Sequence, residues 1–146
     1  MEKYFNSISM FVGLAGGIVA GLLGGIDTIM HALIFLMIVD YITGLAKGAK
    51  NKELNSEIGF VGLLKKAMIL VVVMVAVELE RMTSNAMPIR EIVIMFYVAN
   101  EGISLLENIS EFLPLPEKLK DYFTQIRDTG ESGSENVDKN DQENNQ

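Results

Sequence analysis

From Tyr4 to Ile26 the chain carries no charged side chain, and within that run Gly13, Gly17, Gly21 and Gly25 recur at every fourth position. Crossing a hydrocarbon core of roughly 30 Å takes about 20 apolar residues at 1.5 Å rise per residue, so this run predicts a membrane span. Steps of four set the glycines along one ridge of a helix, with Gly16, Ala20 and Gly24 beside it. A face without side chains lets two backbones approach closely in lipid, where water expulsion cannot drive helices together. The ridge therefore points either to self-association or to packing against another helix of the same chain.

Charge is concentrated elsewhere. The chain has 146 residues and a formal net charge of −7, but six acidic residues and one lysine fall between Asp128 and Gln146, so the remainder is close to neutral. No cationic footprint suggests nucleic acid as a partner. The absence of cysteine removes disulfides, thiolate nucleophiles and cysteine-based zinc sites. Lys3 ahead of the first apolar run has the look of a secretory leader. The run is long for one, however, and more apolar segments follow, so an uncleaved anchor is expected.

Hydropathy divides the chain into an all-α integral membrane protein with three to four transmembrane helices. The expected regions are a membrane domain over residues 1–113, an amphipathic interfacial helix over 114–128 and a disordered acidic tail over 129–146. Ile8 to Ile26 is the first apolar segment. After a turn at Asp27 and Thr28, Ile29 to Ala46 is the second, broken by His31, Asp40 and Thr43. Residues 47–66 hold five lysines and read as a solvent-side loop, which the positive-inside rule places in the cytoplasm. Ala67 to Val77 is the third segment, with Lys65, Lys66 and Arg81 expected to reach the two interfaces.

Ile92 to Leu113 has helical spacing, but Asn100, Ser104, Glu107 and Glu111 share one face. This fourth segment spans only if that face meets protein or water; otherwise it lies at the surface. Beyond Pro114 and Pro116, the residues Leu115, Leu119, Tyr122, Phe123 and Ile126 fall on one side of a short amphipathic helix. The tail after it has too little apolar surface to offset chain entropy.

Two intramembrane carboxylates stand out. A charge at mid-span costs at least about 2.5–3.5 kcal/mol, so Asp40 needs a partner, water or a proton. Thr43, Gly44 and Lys47 are its neighbours along the helix. Glu101 poses the same problem, with Asn100 and Ser104 nearby. Either carboxylate could serve a water-facing or assembly-controlling site, or fix helix packing through an internal hydrogen bond. His31 stands alone, and no serine, histidine and acid set can be assigned, so the residues point away from an enzyme and toward no cofactor or metal.

Asp40-Tyr41-Ile42-Thr43-Gly44, then the lysine-rich stretch with Ser56 and Gly59, and then Gly62-Leu63-Leu64-Lys65-Lys66 form an ordered series of blocks. Asn100 to Asn108, including Glu107, and Pro114 to Lys120, including Pro116, complete it. This order resembles the toxin secretion/phage lysis holin family over roughly residues 28 to 127. The resemblance implies a small phage or prophage protein of the bacterial cytoplasmic membrane. Such proteins form homo-oligomers in membrane lipid and then permeabilise it. They release an endolysin, or in related members a secreted toxin, without implying direct contact, and catalyse no reaction. Met10 as a second translation start is a further device the resemblance brings. The competing expectations are a small multi-span ion channel or transport subunit, and a membrane scaffold whose acidic tail recruits a partner.

Overall fold

The computed structural model describes residues 2–84 and 86–129, with side chains from Ser7 onward. Among these residues every regular element is a helix: α1 Glu2–Leu22, α2 Thr28–Lys50, α3 Ser56–Met82, α4 Ile89–Ser110 and a short α5 over residues 117–129. The residues of the expected acidic tail from 130 onward, and the Lys3 side chain, lie outside the described set.

Local chemistry sets the boundaries. α1 stops in a Schellman turn: Gly24 N–H donates to Gly21 O (3.2 Å), Gly25 N–H donates to Ala20 O (2.8 Å), and both glycines have positive φ, +76° and +100°. Gly25 therefore does not continue the ridge predicted from its spacing. The ridge ends at Gly21, because the left-handed backbone at Gly24 and Gly25 turns the chain out of the helix.

Asp27 caps α2, its carboxylate accepting from Met30 N–H at 3.0 Å. Asn55 caps α3 in the same way through Ile58 N–H at 2.8 Å. The expected loop over 47–66 is accordingly only residues 51–55, since α2 runs through Lys50 and α3 has already begun at Ser56. Pro88 gives α4 no side-chain cap. Glu80 of α3 takes that place, accepting Arg90 N–H at 2.8 Å.

α2, α3 and α4 form a bundle in which α2 and α4 run parallel and α3 runs back. Asp27 meets Arg90 at one end, and Lys47 and Lys50 meet Glu111 at the other. α4 packs against both partners, whereas α2 and α3 touch each other less. Leu23, Met30, Leu33, Met37, Val73 and Ile94 make the buried core. On α2 the inward residues Met30, Leu33, Met37 and Asp40 follow one helical face, as do Arg90, Ile94 and Glu101 on α4.

Outside this seam the bundle is apolar and exposed, including Phe35, Ile38, Ile42, Phe60, Leu64, Met68, Val72 and Val75. A belt of that extent needs a nonaqueous environment or a partner. α2, α3 and α4, of 23, 27 and 22 residues, are each long and apolar enough to cross a membrane. The described part of α1, Ser7–Leu22, is apolar but shorter. Length thus favours the fourth expected segment, whose polar face had left it open.

Every residue of α1 from Ser7 to Val19 is exposed. α5, in contrast, folds back along α4. Lys120 lies 3.5 Å from Glu107, Phe123 covers Gly102, and Tyr122 and Ile126 share a cavity with Ile92 and Met95.

Candidate functional site

The bundle places one charged residue from each helix at a single point. Asp40 lies three turns into α2, Lys66 nearly three turns into α3 and Glu101 more than three turns into α4. The Lys66 ammonium donates to Asp40 Oδ2 at 2.7 Å and to Glu101 Oε2. Asn108, two turns beyond Glu101, donates its amide to Asp40 Oδ1 at 2.9 Å and to Asp40 O at 3.3 Å. The three charged side chains are only 11–12% exposed. With both carboxylates ionised the cluster carries a formal charge of −1.

Such a group is held by geometry, since desolvation of ions offsets much of their attraction. Removing one partner leaves the others buried and uncompensated. The cluster therefore couples the three helices and also stores polarity inside the bundle.

The neighbouring residues shape access to it. A crevice of about 310 Å³ runs beside Gly44, Gly48, Leu54, Gly59 and Gly62 to Asp40, Lys66 and Glu101, with Lys65 and Ser104 along its wall. Tyr41 closes one flank: its hydroxyl donates to Gly59 O at 3.3 Å, and its ring would lie 3.5 Å from a Cβ at Gly62. A Cβ at Gly44 would meet the Asn108 amide, also at 3.5 Å. Asp40, Tyr41 and Gly44 of the first block and Gly62, Lys65 and Lys66 of the later one thus line one crevice.

Other expected partners fall elsewhere. The Thr43 hydroxyl donates to Val39 O and Asp40 O of its own helix and lies 3.5 Å from the Asn108 amide. Asn100 faces a separate cavity beside Val61, Leu64 and Met68. Glu107 is exposed and pairs with Lys120. Pro116 immediately precedes α5, and its carbonyl accepts Leu119 N–H at 3.1 Å. Gly13, Gly17 and Gly21 have open space where a Cβ would stand.

Lys66 corrects the sequence reading most clearly, because it turns inward and does not extend to an interface. The signal was present at Asn55 and Glu57: a capped start there puts Lys66 well inside α3. Arg90 was also missed. It is 5% exposed, and its guanidinium donates to Leu23 O (2.7 Å), Asp27 Oδ2 (2.7 Å) and Gly25 O (3.0 Å). These bonds tie the end of α1 to the start of α4. The hydrogen bond from Arg90 is also the main reason that the Asp27 carboxyl titrates below its ordinary 3.8. No histidine, cysteine or acid set of three or more converges as a metal site among the described residues.

Comparison with known proteins agrees with this architecture. The model of the bacteriophage holin family matches residues 17–128. An uncharacterized 14.9 kDa protein from the nagH 3' region of Clostridium perfringens is 41% identical over 128 residues, covering 86% of this chain and 97% of the relative. An uncharacterized Listeria monocytogenes protein, Lmo0128, is 38% identical over 106 residues, covering 72% and 76%. A probable holin of Bacillus phage phi105 is 29% identical over 111 residues, covering 75% and 82%. No solved structure matches the chain. With three membrane-length helices among the described residues and a family match across most of its length, this chain is a membrane protein that belongs to the bacteriophage holin family.

Proposed function

We propose that the protein oligomerises in the bacterial cytoplasmic membrane and opens a lesion through which an endolysin, or a toxin in another setting, leaves the cell. It performs no catalysis; its action is a change in helix assembly. The observation that carries this reading is the Asp40–Lys66–Glu101 cluster, buried where three membrane-length helices meet. A bundle with that polarity inside and an apolar belt outside is stable in lipid as an inert unit. Rotating or separating the helices would turn the same residues toward water and give a lesion a polar wall. The glycine ridge of α1 supplies a surface on which copies could gather.

The positive-inside rule places the α2–α3 turn, with Lys47, Lys50 and Lys52, in the cytoplasm. α2, α3 and α4 then cross the membrane and put α5 on the cytoplasmic side; a crossing by α1 makes four spans. The domain division follows: a membrane domain through residue 113, the amphipathic segment 114–128 and the acidic tail beyond it.

Controlled expression in a bacterium, with a cytoplasmic endolysin supplied separately, tests the reading. Abrupt lysis that requires both proteins is expected. Growth arrest with a selective ion conductance and no endolysin release would instead favour an ion-coupling subunit, a reading to which the crevice beside Asp40 and Glu101 lends support.

A further inference from the structure

α5 occupies a surface of α4 that a membrane setting would not let it keep. Its ring at Phe123 sits on Gly102 so closely that no Cβ fits between them. On either side, Ile126 and Tyr122 border a cavity with Ile92 and Met95, and Leu115 and Lys120 border one with Leu106 and Glu107. α5 therefore runs antiparallel to α4 from the level of Glu107 nearly to the start of the helix. Ala99 and Gly102, both buried, form the small centre of this strip, with Met95 and Leu106 one turn beyond each.

The outer side of α5 presents Glu117, Lys118, Asp121 and Asp128, all exposed. If α4 spans the bilayer, a docked α5 carries that charge along the hydrocarbon core, where ionised side chains are strongly disfavoured.

From this conflict we infer that α5 is a removable cover over the Met95–Ala99–Gly102–Leu106 strip of α4, and that a second copy of the chain takes its place when the protein assembles. The strip suits a helix more than lipid: Gly102 already accepts a ring at close range, and small residues let helix backbones pack by van der Waals contact. Release moves α5 to the membrane surface, where its apolar side meets the interface and its charges meet water. Docked α5 and assembled α4 exclude each other. The inference rests on the multi-span lesion-forming reading above and adds the contact that holds a single chain inert.

The chain lacks cysteine, so a Met95→Cys/Ile126→Cys variant can be bridged with a cleavable bismaleimide and reconstituted in anionic phospholipid vesicles holding a fluorescent dye. The bridged protein is expected to insert but to release dye about tenfold more slowly or less, the effect of a bias of about 1.4 kcal/mol, with cleavage restoring release. Phe123→Ala, which loosens the cover without a bridge, should shorten the lag. In a Leu106→Cys chain, cross-links between copies should appear as release begins. Failure of the bridge to form, equal release from bridged and cleaved protein, or release without Leu106→Cys cross-links would each overturn the inference. Vesicles that stay sealed with unbridged protein would instead count against the lesion-forming reading itself.

Discussion

α1 and the α2–α4 bundle are both apolar helical regions, yet they treat polarity in opposite ways. α1 has no charged residue after Lys3, a ridge without side chains and no extensive contact with the rest of the described chain. The bundle buries Asp40, Glu101 and Arg90, holds Lys66 between the two carboxylates, and joins its helices through them. One region leaves a face without side chains uncovered, while the other keeps paired charge between its helices. Arg90 is the joint, since it binds the carbonyls of Leu23 and Gly25 from the first turn of α4.

The sharpest way to break this comparison is to remove the charge from the bundle. Lys66→Met alone leaves two carboxylates facing each other without a cation and should cost about 3–5 kcal/mol, read as loss of the folded protein in detergent thermal unfolding. Adding Asp40→Asn and Glu101→Gln to the same chain should recover most of that loss, because neutral groups need less compensation. The triple variant should accumulate and yet fail to lyse on the normal schedule. Normal lysis would show that the reserved charge has no role.

A smaller effect is expected at the joint. Gly24 has φ +76°, and a Cβ there would lie 2.7 Å from Arg90 Nε. Gly24→Ala should cost about 1–2 kcal/mol from the left-handed backbone alone, plus displacement of the guanidinium. Faster proteolysis between α1 and α2 would report it. On α1 itself, Gly17→Leu and Gly21→Leu meet open space and should leave the melting temperature unchanged while reducing cross-linked oligomers. Unchanged cross-linking would move the assembly surface away from α1.

The smallest effect concerns pH. Because the folded-state pKa of Asp27 is depressed, its contribution to stability is present above the unfolded value and is lost as pH falls through the folded one. Acidification below about pH 4 should therefore loosen the α1 joint, and Asp27→Asn should remove this part of the pH dependence.

Much of the helical framework was legible because hydropathy and helix caps act locally. The break near Asp27 was legible, although the turn itself lies at Leu23 and Gly24 and Thr28 already opens α2, and the apolar runs located α2, α3 and α4. What escaped depended on distance in sequence. Lys66 follows a dense lysine stretch and precedes the apolar run, so proximity to Lys65 suggested an interface; only the approach of α2 and α4 makes it an interior cation. Asp27 gains its cation only in three dimensions, because Arg90 arrives from 63 residues away. On α4 the inward face carries Glu101, Ser104 and Asn108, displaced from the polar face expected through Asn100, Ser104, Glu107 and Glu111. The docking of α5 was invisible for a similar reason: it depends on the missing side chain of Gly102 as much as on the ring of Phe123.

The central claim is that residues beside the charged cluster are dry in the inert protein and wet in the lesion. Met37, one turn before Asp40 and 6% exposed, provides the probe as a single Met37→Cys substitution. A hydrophilic thiol reagent supplied to both faces of reconstituted vesicles should leave it unmodified while the membrane is sealed and modify it once dye escapes. Equal modification in both states, or protection that persists after dye release, would contradict the account.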